Sequence, residues 1–280
     1  MLNSFTKGIK FTTWLLLIVS FSAYSTAQSN TLESKTVQLA VVNTPHDSGL
    51  LNYLLKDFEI ESGINVDIYS GSDVYQRARN GKADIVISHY GKAGLSEFVL
   101  DELGSWPKMV FSNQAALIGP TDDPANVSST SSIAVALELI AASGNILIAN
   151  NNEGLMAIIE TAQINPKDHS AWFKDTGLAK GQAIKAAERD KAYVLWGAIP
   201  FLKFKQKHNS SLTLLLTEDP SLQRIMAITR VNPEHFSDIN SEAAKRLEDY
   251  LLSHQTQAKI KTFRVEGYEG QLWWPAARHN

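Results

Sequence analysis

The sequence predicts an α/β protein of two lobes, with two mixed sheets flanked by helices and a cleft between them. Three observations predict it. Strand and helix signals alternate as β-α-β-α-β between residues 37 and 88. A second α/β set fills residues 128–216. Two extended apolar stretches, near 114–119 and 225–231, would carry the chain across and back. Such alternation predicts parallel pairing through right-handed crossovers. The predicted boundaries are 1–27 for a leader, 36–115 for the first lobe, 116–224 for the second, and 225–280 for the return to the first.

The elements follow in order. Lys7 and Lys10 precede an apolar run from Trp14 to Val19, and Ser25-Thr26-Ala27 offers small residues for cleavage. That order is the signature of a secretory signal. The run is too short for a membrane span, which needs about 20 apolar residues. Val37 to Val42 reads as a buried strand. The loop from Asn43 to Gly49 follows, where Asp47 or Ser48 can cap a helix. Leu50, Leu51, Leu54, Leu55 and Phe58 keep helical spacing until Gly63. Ile64–Tyr69 is a second strand, Ser70-Gly71-Ser72 opens a short helix that stops at Gly81, and Ala83–Ser88 is a third strand.

Met109 to Gly119 is extended and apolar, and Pro120 and Asp122-Asp123-Pro124 close it. Beyond a serine-rich patch a helix runs to Ala142. Strands are predicted at 145–149, 192–196 and 212–216, and helices at 154–164, 181–190 and 199–205. Lys203, Lys205 and Lys207 read as a solvated helix face. Ile225 to Val231 is the return strand. Ser241 would cap a helix carrying Ala244, Leu247 and Leu251 on one face, and a further helix runs to about Phe263. Trp273-Trp274-Pro275 is expected to staple the tail onto the first lobe through aromatic burial.

Composition excludes several classes. With no cysteine there is no disulfide, thiolate metal site, cysteine nucleophile or lipidated cysteine. The leader takes two of 26 basic residues and none of 29 acidic ones, leaving a mature balance of −5. No basic run marks a nucleic-acid or membrane surface. His46, Asp47 and Ser48 are the ingredients of a nucleophilic triad, but adjacency is not triad geometry. Histidines 89, 169, 208, 235, 254 and 279 show no zinc spacing. No enzyme, metal or cofactor is therefore predicted.

Ligands of open α/β sheets bind at the carboxyl ends of strands. Two loops there carry neutral donors: Asn43, Thr44 and Ser48 after the first strand, and Ser70, Gly71 and Ser72 after the second. Neither loop holds lysine or arginine, so an oxyanion there would be held by hydroxyls and backbone N–H groups. Ordinary helix capping accounts for the same residues without a ligand.

Several blocks resemble the tungstate-binding proteins of ABC importers, within the type II periplasmic binding-protein superfamily. Asp47-Ser48-Gly49-Leu50-Leu51 matches the family's D-S-G-L-L, and Phe58 to Gly63 its F-E-x-x-[ST]-G. Gly81-Lys82-Ala83-Asp84 through His89 matches G-x-A-D-V-x-x-x-H. Ala116 to Ala125 matches its hinge segment, Val231-Asn232-Pro233 its V-N-P, and Tyr268 to Ala277 its closing motif. The resemblance implies a two-lobed binding protein in the periplasm, released by signal cleavage and not lipidated. It would be a monomer presenting a small molecule or oxyanion to an ABC permease.

The resemblance breaks in the second lobe. Where the family has R-G-D-x-S-G-T, this chain has Asn150-Asn151-Asn152-Glu153-Gly154-Leu155. Where it has T-D-R, Trp196-Gly197-Ala198 stands. Loss of arginine removes the usual oxyanion clamp. Asn150, Asn151 and Trp196 are left as candidate contacts, favouring a neutral or aromatic-bearing solute or a weakly held oxyanion. A periplasmic sensor subunit that binds a membrane receptor is the alternative use of such a site.

Overall fold

The computed structural model describes residues 35–162 and 171–279, together with Met1. The leader, the end of the helix predicted to Ile164, and His169 lie outside the described residues. The first lobe starts with β1 (Thr36–Val41), α1 (Asn43–Asp47), α2 (Leu50–Ser62), β2 (Asn65–Ser70), α3 (Val74–Arg79), β3 (Ile85–His89) and α4 (Leu95–Leu100). Strand β1 pairs in parallel with β2 on one side and β3 on the other, as the alternation predicts. Helix α2 buries Leu50, Leu51, Leu54, Leu55 and Phe58, the five positions its spacing singled out.

Capping differs from expectation in two places. The N-cap residue of α2 is Gly49 at φ 83°, not Asp47 or Ser48, although Ser48 Oγ still accepts from the N–H of Leu50, the first residue of the helix, at 3.4 Å. Residues 43–47 wind into a helical turn of their own, which uses up Asp47, and the Ser48 side chain turns inward. Positive φ at that junction suits glycine, which has no Cβ to clash. Asn240, not Ser241, caps the late helix α9 (Ser241–Leu252), its Oδ1 accepting from Ala243 N–H at 3.1 Å. Asn240 is also held by its own N–H on Asp84 and its Nδ2 on the Thr36 carbonyl, which fixes it at that corner.

The 12-residue strand β4 (Lys108–Gly119) runs through both lobes. Its first half pairs antiparallel with β9 (Gln223–Arg230) down to Gln114↔Gln223. From Ala115 it pairs instead with β7 (Tyr193–Gly197), and at its end also with β8 (Thr213–Leu216). Strand β9 completes the first sheet by pairing antiparallel with β3. The second lobe adds α5 (Ile133–Ala142), β5 (Leu147–Ile148), α6 (Glu153–Thr161), β6 (Phe173–Lys174), α7 (Gly181–Arg189) and α8 (Ala198–His208). The whole ladder reads β2-β1-β3-β9-β4-β7-β5-β6, so the two predicted sheets are continuous through β4.

Buried apolar residues form two clusters. The larger joins β1, β3, α2, α3, α9 and the tail and continues into the second lobe through Ile184, Val194 and Phe201; the smaller joins α5, α6, Tyr193 and Leu222. The hinge motif has a visible task. Asp123, at φ 40°, accepts from Val127 N–H and Ser128 N–H and from the Tyr193 hydroxyl at 2.9 Å. A Cβ on Gly119 would sit 2.5 Å from the Tyr193 ring, so only glycine lets that ring lie against the strand. The tail behaves as predicted. Trp273 is fully buried, meets Phe111 edge-on at 5.1 Å, and β10 (Trp274–Pro275) pairs with β4. Helix α10 (His254–Thr262) supports it, the Gln257 Oε1 accepting from Ala276 N–H.

Candidate ligand site

Because β1, β2 and β3 are parallel neighbours, their carboxyl ends open on one edge. Loop one (residues 42–49) and loop two (70–73) meet there, Asn43 Nδ2 donating to Ser70 Oγ at 3.4 Å. Thr44 is half-buried and Ser72 exposed; among the described residues neither hydroxyl has a protein partner. A Cβ on Gly71 would lie 2.7 Å from the Tyr69 hydroxyl and 2.9 Å from the Asp73 carboxylate. Gly71 therefore lets the loop fold over that pair, in which the Tyr69 hydroxyl donates to Asp73 Oδ1 at 2.5 Å. That bond holds the Asp73 carboxyl below its ordinary range. Helices α1 and α3 are only five and six residues long, so any donors here act as local hydrogen bonds rather than through a long dipole.

Ser48 is placed differently. It is buried, donates to the Pro45 carbonyl at 3.3 Å and accepts from the Trp273 indole N–H at 3.2 Å. Its hydroxyl ties the tail to the first loop. His46 reaches Asp47 at 3.1 Å, with both side chains exposed and Ser48 turned away from them. No triad is assembled.

In the second lobe Asn150 is buried, its Oδ1 accepting from Lys180 N–H at 2.7 Å. Its Nδ2 is enclosed and has no partner among the described residues. The Asn151 side chain is committed to its own lobe, donating to Asp175 Oδ1 and to the Leu178 carbonyl. Trp196 is half-buried and meets Phe204 edge-on at 6.1 Å, so part of its face belongs to the core. The lysine face of α8 is not simply solvated. Lys203 Nζ donates to the Asp47 carbonyl in loop one, and Lys205 Nζ to the Leu212 carbonyl. Each amine is thus taken up by one backbone carbonyl.

Two residues at this junction were missed. Arg224 is the second residue of β9, just before the predicted strand, and its Nη1 donates to the Gly154 carbonyl at 2.8 Å. No carboxylate pairs with it among the described residues, and burial pulls its pKa down. His89 ends β3, opposite Met226 of β9. Burial first, then the positive charges of Arg224 and Lys92, push it down to about 3, so it is neutral. Its Nδ1 is enclosed without a partner among the described residues. The sequence signal for Arg224 was a lone cation at the mouth of an apolar β-branched run. Two surface depressions of about 380 and 470 Å³ lie along α7 and α8 and are lined by no predicted ligand residue. They are shallow and wide open, so the loop geometry is the better guide. No group of three or more metal-ligating side chains occurs among the described residues.

No family model matches the chain. It is 28% identical over 251 residues to the tungstate-binding protein TupA of Peptoclostridium acidaminophilum, covering 86% of both chains. It is 26% identical over 261 residues to a putative ABC transporter anion-binding protein of Haloferax volcanii, covering 90% of this chain and 75% of that one. Among solved structures, TupA from Desulfovibrio alaskensis superposes with a TM-score of 0.76 at 23% identity, over 86% of this chain and 99% of the other. The tungstate ABC transporter structure from Geobacter sulfurreducens gives 0.69 at 25%, over 81% and 98%. These likenesses confirm the two-lobed α/β fold. In sequence the chain is similar to tungstate- and anion-binding proteins of ABC transporters, and in fold to two-lobed proteins of the same kind.

Proposed function

We propose that this chain captures a tetrahedral oxyanion of the tungstate or molybdate kind in the periplasm and presents it to an ABC permease. The carrying observation is the joined pair of loops at the first-lobe edge, where Asn43 bonds Ser70 and the Thr44 and Ser72 hydroxyls are left unpartnered. Similarity to proteins named for tungstate and anion binding supports the same ligand class. Relatives named as ABC transporter components favour import over sensing. The contacts read from sequence, Asn43, Thr44, Ser70, Gly71, Ser72, Asn150 and Trp196, belong to this reading. Release from a leader ending near Ala27, as a monomer with no catalytic role, is part of it too.

A thermal-shift screen of the purified chain with tungstate, molybdate, sulfate and phosphate tests the reading. A true ligand at 100 times its dissociation constant adds about 2.7 kcal/mol to stability. Thr44→Ala and Ser72→Ala should reduce that shift. Ligand-free protein that responds to none of the four anions would end the oxyanion reading.

A further inference from the structure

We infer that Arg224, supplied by the return strand, is the cationic anchor of the oxyanion site, standing in for the arginine that the Asn150–Asn152 loop lacks. The inference rests on the capture reading above and names the charged half of that site.

Topology puts the residue there. Strand β9 runs antiparallel to β3, with Met226 opposite His89, so Arg224 projects past the carboxyl end of β3. That is the edge where loops one and two open. From the same point the guanidinium reaches the second lobe, bonding the Gly154 carbonyl in the first turn of α6. It lies flat on that turn: a Cβ on Gly154 would come 2.3 Å from Nη2, 2.6 Å from Nη1 and 2.8 Å from Cζ. Gly154 is thus a seat cut for this side chain. Arg224 is the residue that touches the asparagine loop's helix while belonging to the first sheet.

The chemistry points to an anion. A partly desolvated guanidinium without a carboxylate is costly to keep. One of its donors goes to Gly154, and among the described residues no hydrogen bond uses the rest. His89 lies close enough for the Arg224 charge to depress its pKa, and in the second lobe Asn150 Nδ2 is buried without a partner among the described residues. A planar fork of N–H donors matches two oxygens of a tetrahedral oxyanion. Bound there, the anion would touch both lobes through one side chain, which favours the closed state.

Calorimetric titration with sodium tungstate tests this in wild type, Arg224→Gln, Arg224→Lys and Gly154→Ala. Hydrogen bonds to charged groups predict a loss of roughly 10- to 100-fold in Arg224→Gln. Its ligand-free melting temperature should hold or rise, because an unpaired cation has been removed. Arg224→Lys should lie between, and Gly154→Ala should weaken binding with the charge still present. Binding within twofold of wild type in Arg224→Gln, while Ser72→Ala weakens it, would overturn the anchor and leave the capture reading standing. If Arg224→Gln does not fold, unchanged affinity in Arg224→Lys and Gly154→Ala overturns it equally. Wild-type protein that binds no tungstate, molybdate or sulfate would remove both.

Discussion

Single residues set the terms at the corners of this fold. Asp84 is buried, its Oδ2 accepting from Gln38 N–H at 2.7 Å and its Oδ1 from Asn240 N–H at 2.8 Å. It therefore locks β1 to the cap of α9. Asp84→Ala strands two amides, and at about 1–3 kcal/mol for each unsatisfied group the variant should lose roughly 2–4 kcal/mol in urea unfolding. Burial raises the Asp84 pKa against its amide bonds. A raised carboxyl binds more protons folded than unfolded, so its contribution falls as pH rises from the ordinary carboxylate range. His89 has the opposite sign. Its depressed pKa makes the unfolded chain the better proton acceptor between about 3 and 6.5. Stability should decline as pH drops below about 6.5, and His89→Gln should flatten that slope. An unchanged slope in the variant would assign the proton uptake elsewhere.

Elements were legible where periodicity is strong, and less so where side chains are shared between elements. The five apolar positions of α2 and the parallel order of β1, β2 and β3 follow from spacing alone. Helix α1 did not, because four polar residues around Pro45 read as a loop. Ser48 looked like a cap or ligand donor because its partner, Trp273, is 225 positions away. Arg224 was invisible for the same reason, its contact with Gly154 spanning 70 residues. Glu248 gives an element-scale test. Helix α9 buries it to 1% exposure against Lys108 of β4 at 2.8 Å and Arg230 of β9 at 3.2 Å. The two cations are 41% and 32% exposed and can rehydrate alone, whereas the carboxylate cannot. Lys108→Met with Arg230→Met should cost about 3–5 kcal/mol, and Glu248→Gln less. The reverse order in denaturant titrations would refute the argument.

At the scale of the molecule, two side-chain hydrogen bonds cross between the halves among the described residues: Lys203 of α8 to the Asp47 carbonyl, and Arg224 to Gly154. The first engages the loop that carries Asn43 and Thr44, the second the helix that follows Asn150 and Asn151. A ligand bridging the halves biases them toward closure. Lys203→Met removes one latch without touching the loop hydroxyls. Small-angle scattering should show a larger radius of gyration in the ligand-free variant, and tungstate affinity should fall roughly three- to tenfold, the worth of one hydrogen bond. An unchanged radius would show that the latch does not set the resting state.

The bond from the Trp273 indole to Ser48 also governs timing. The residues that seal the first lobe emerge from the ribosome only after every residue of the second. Until then the Phe111 face lacks its largest neighbour, and β4 lacks its β10 partner. The first lobe must close a loop of more than 200 residues before its core is whole, a slow, high-separation step. The second lobe, contiguous in sequence, carries no such delay and can assemble first. Folding order is thereby opposite to chain order, and the half that begins the molecule is the half that finishes it.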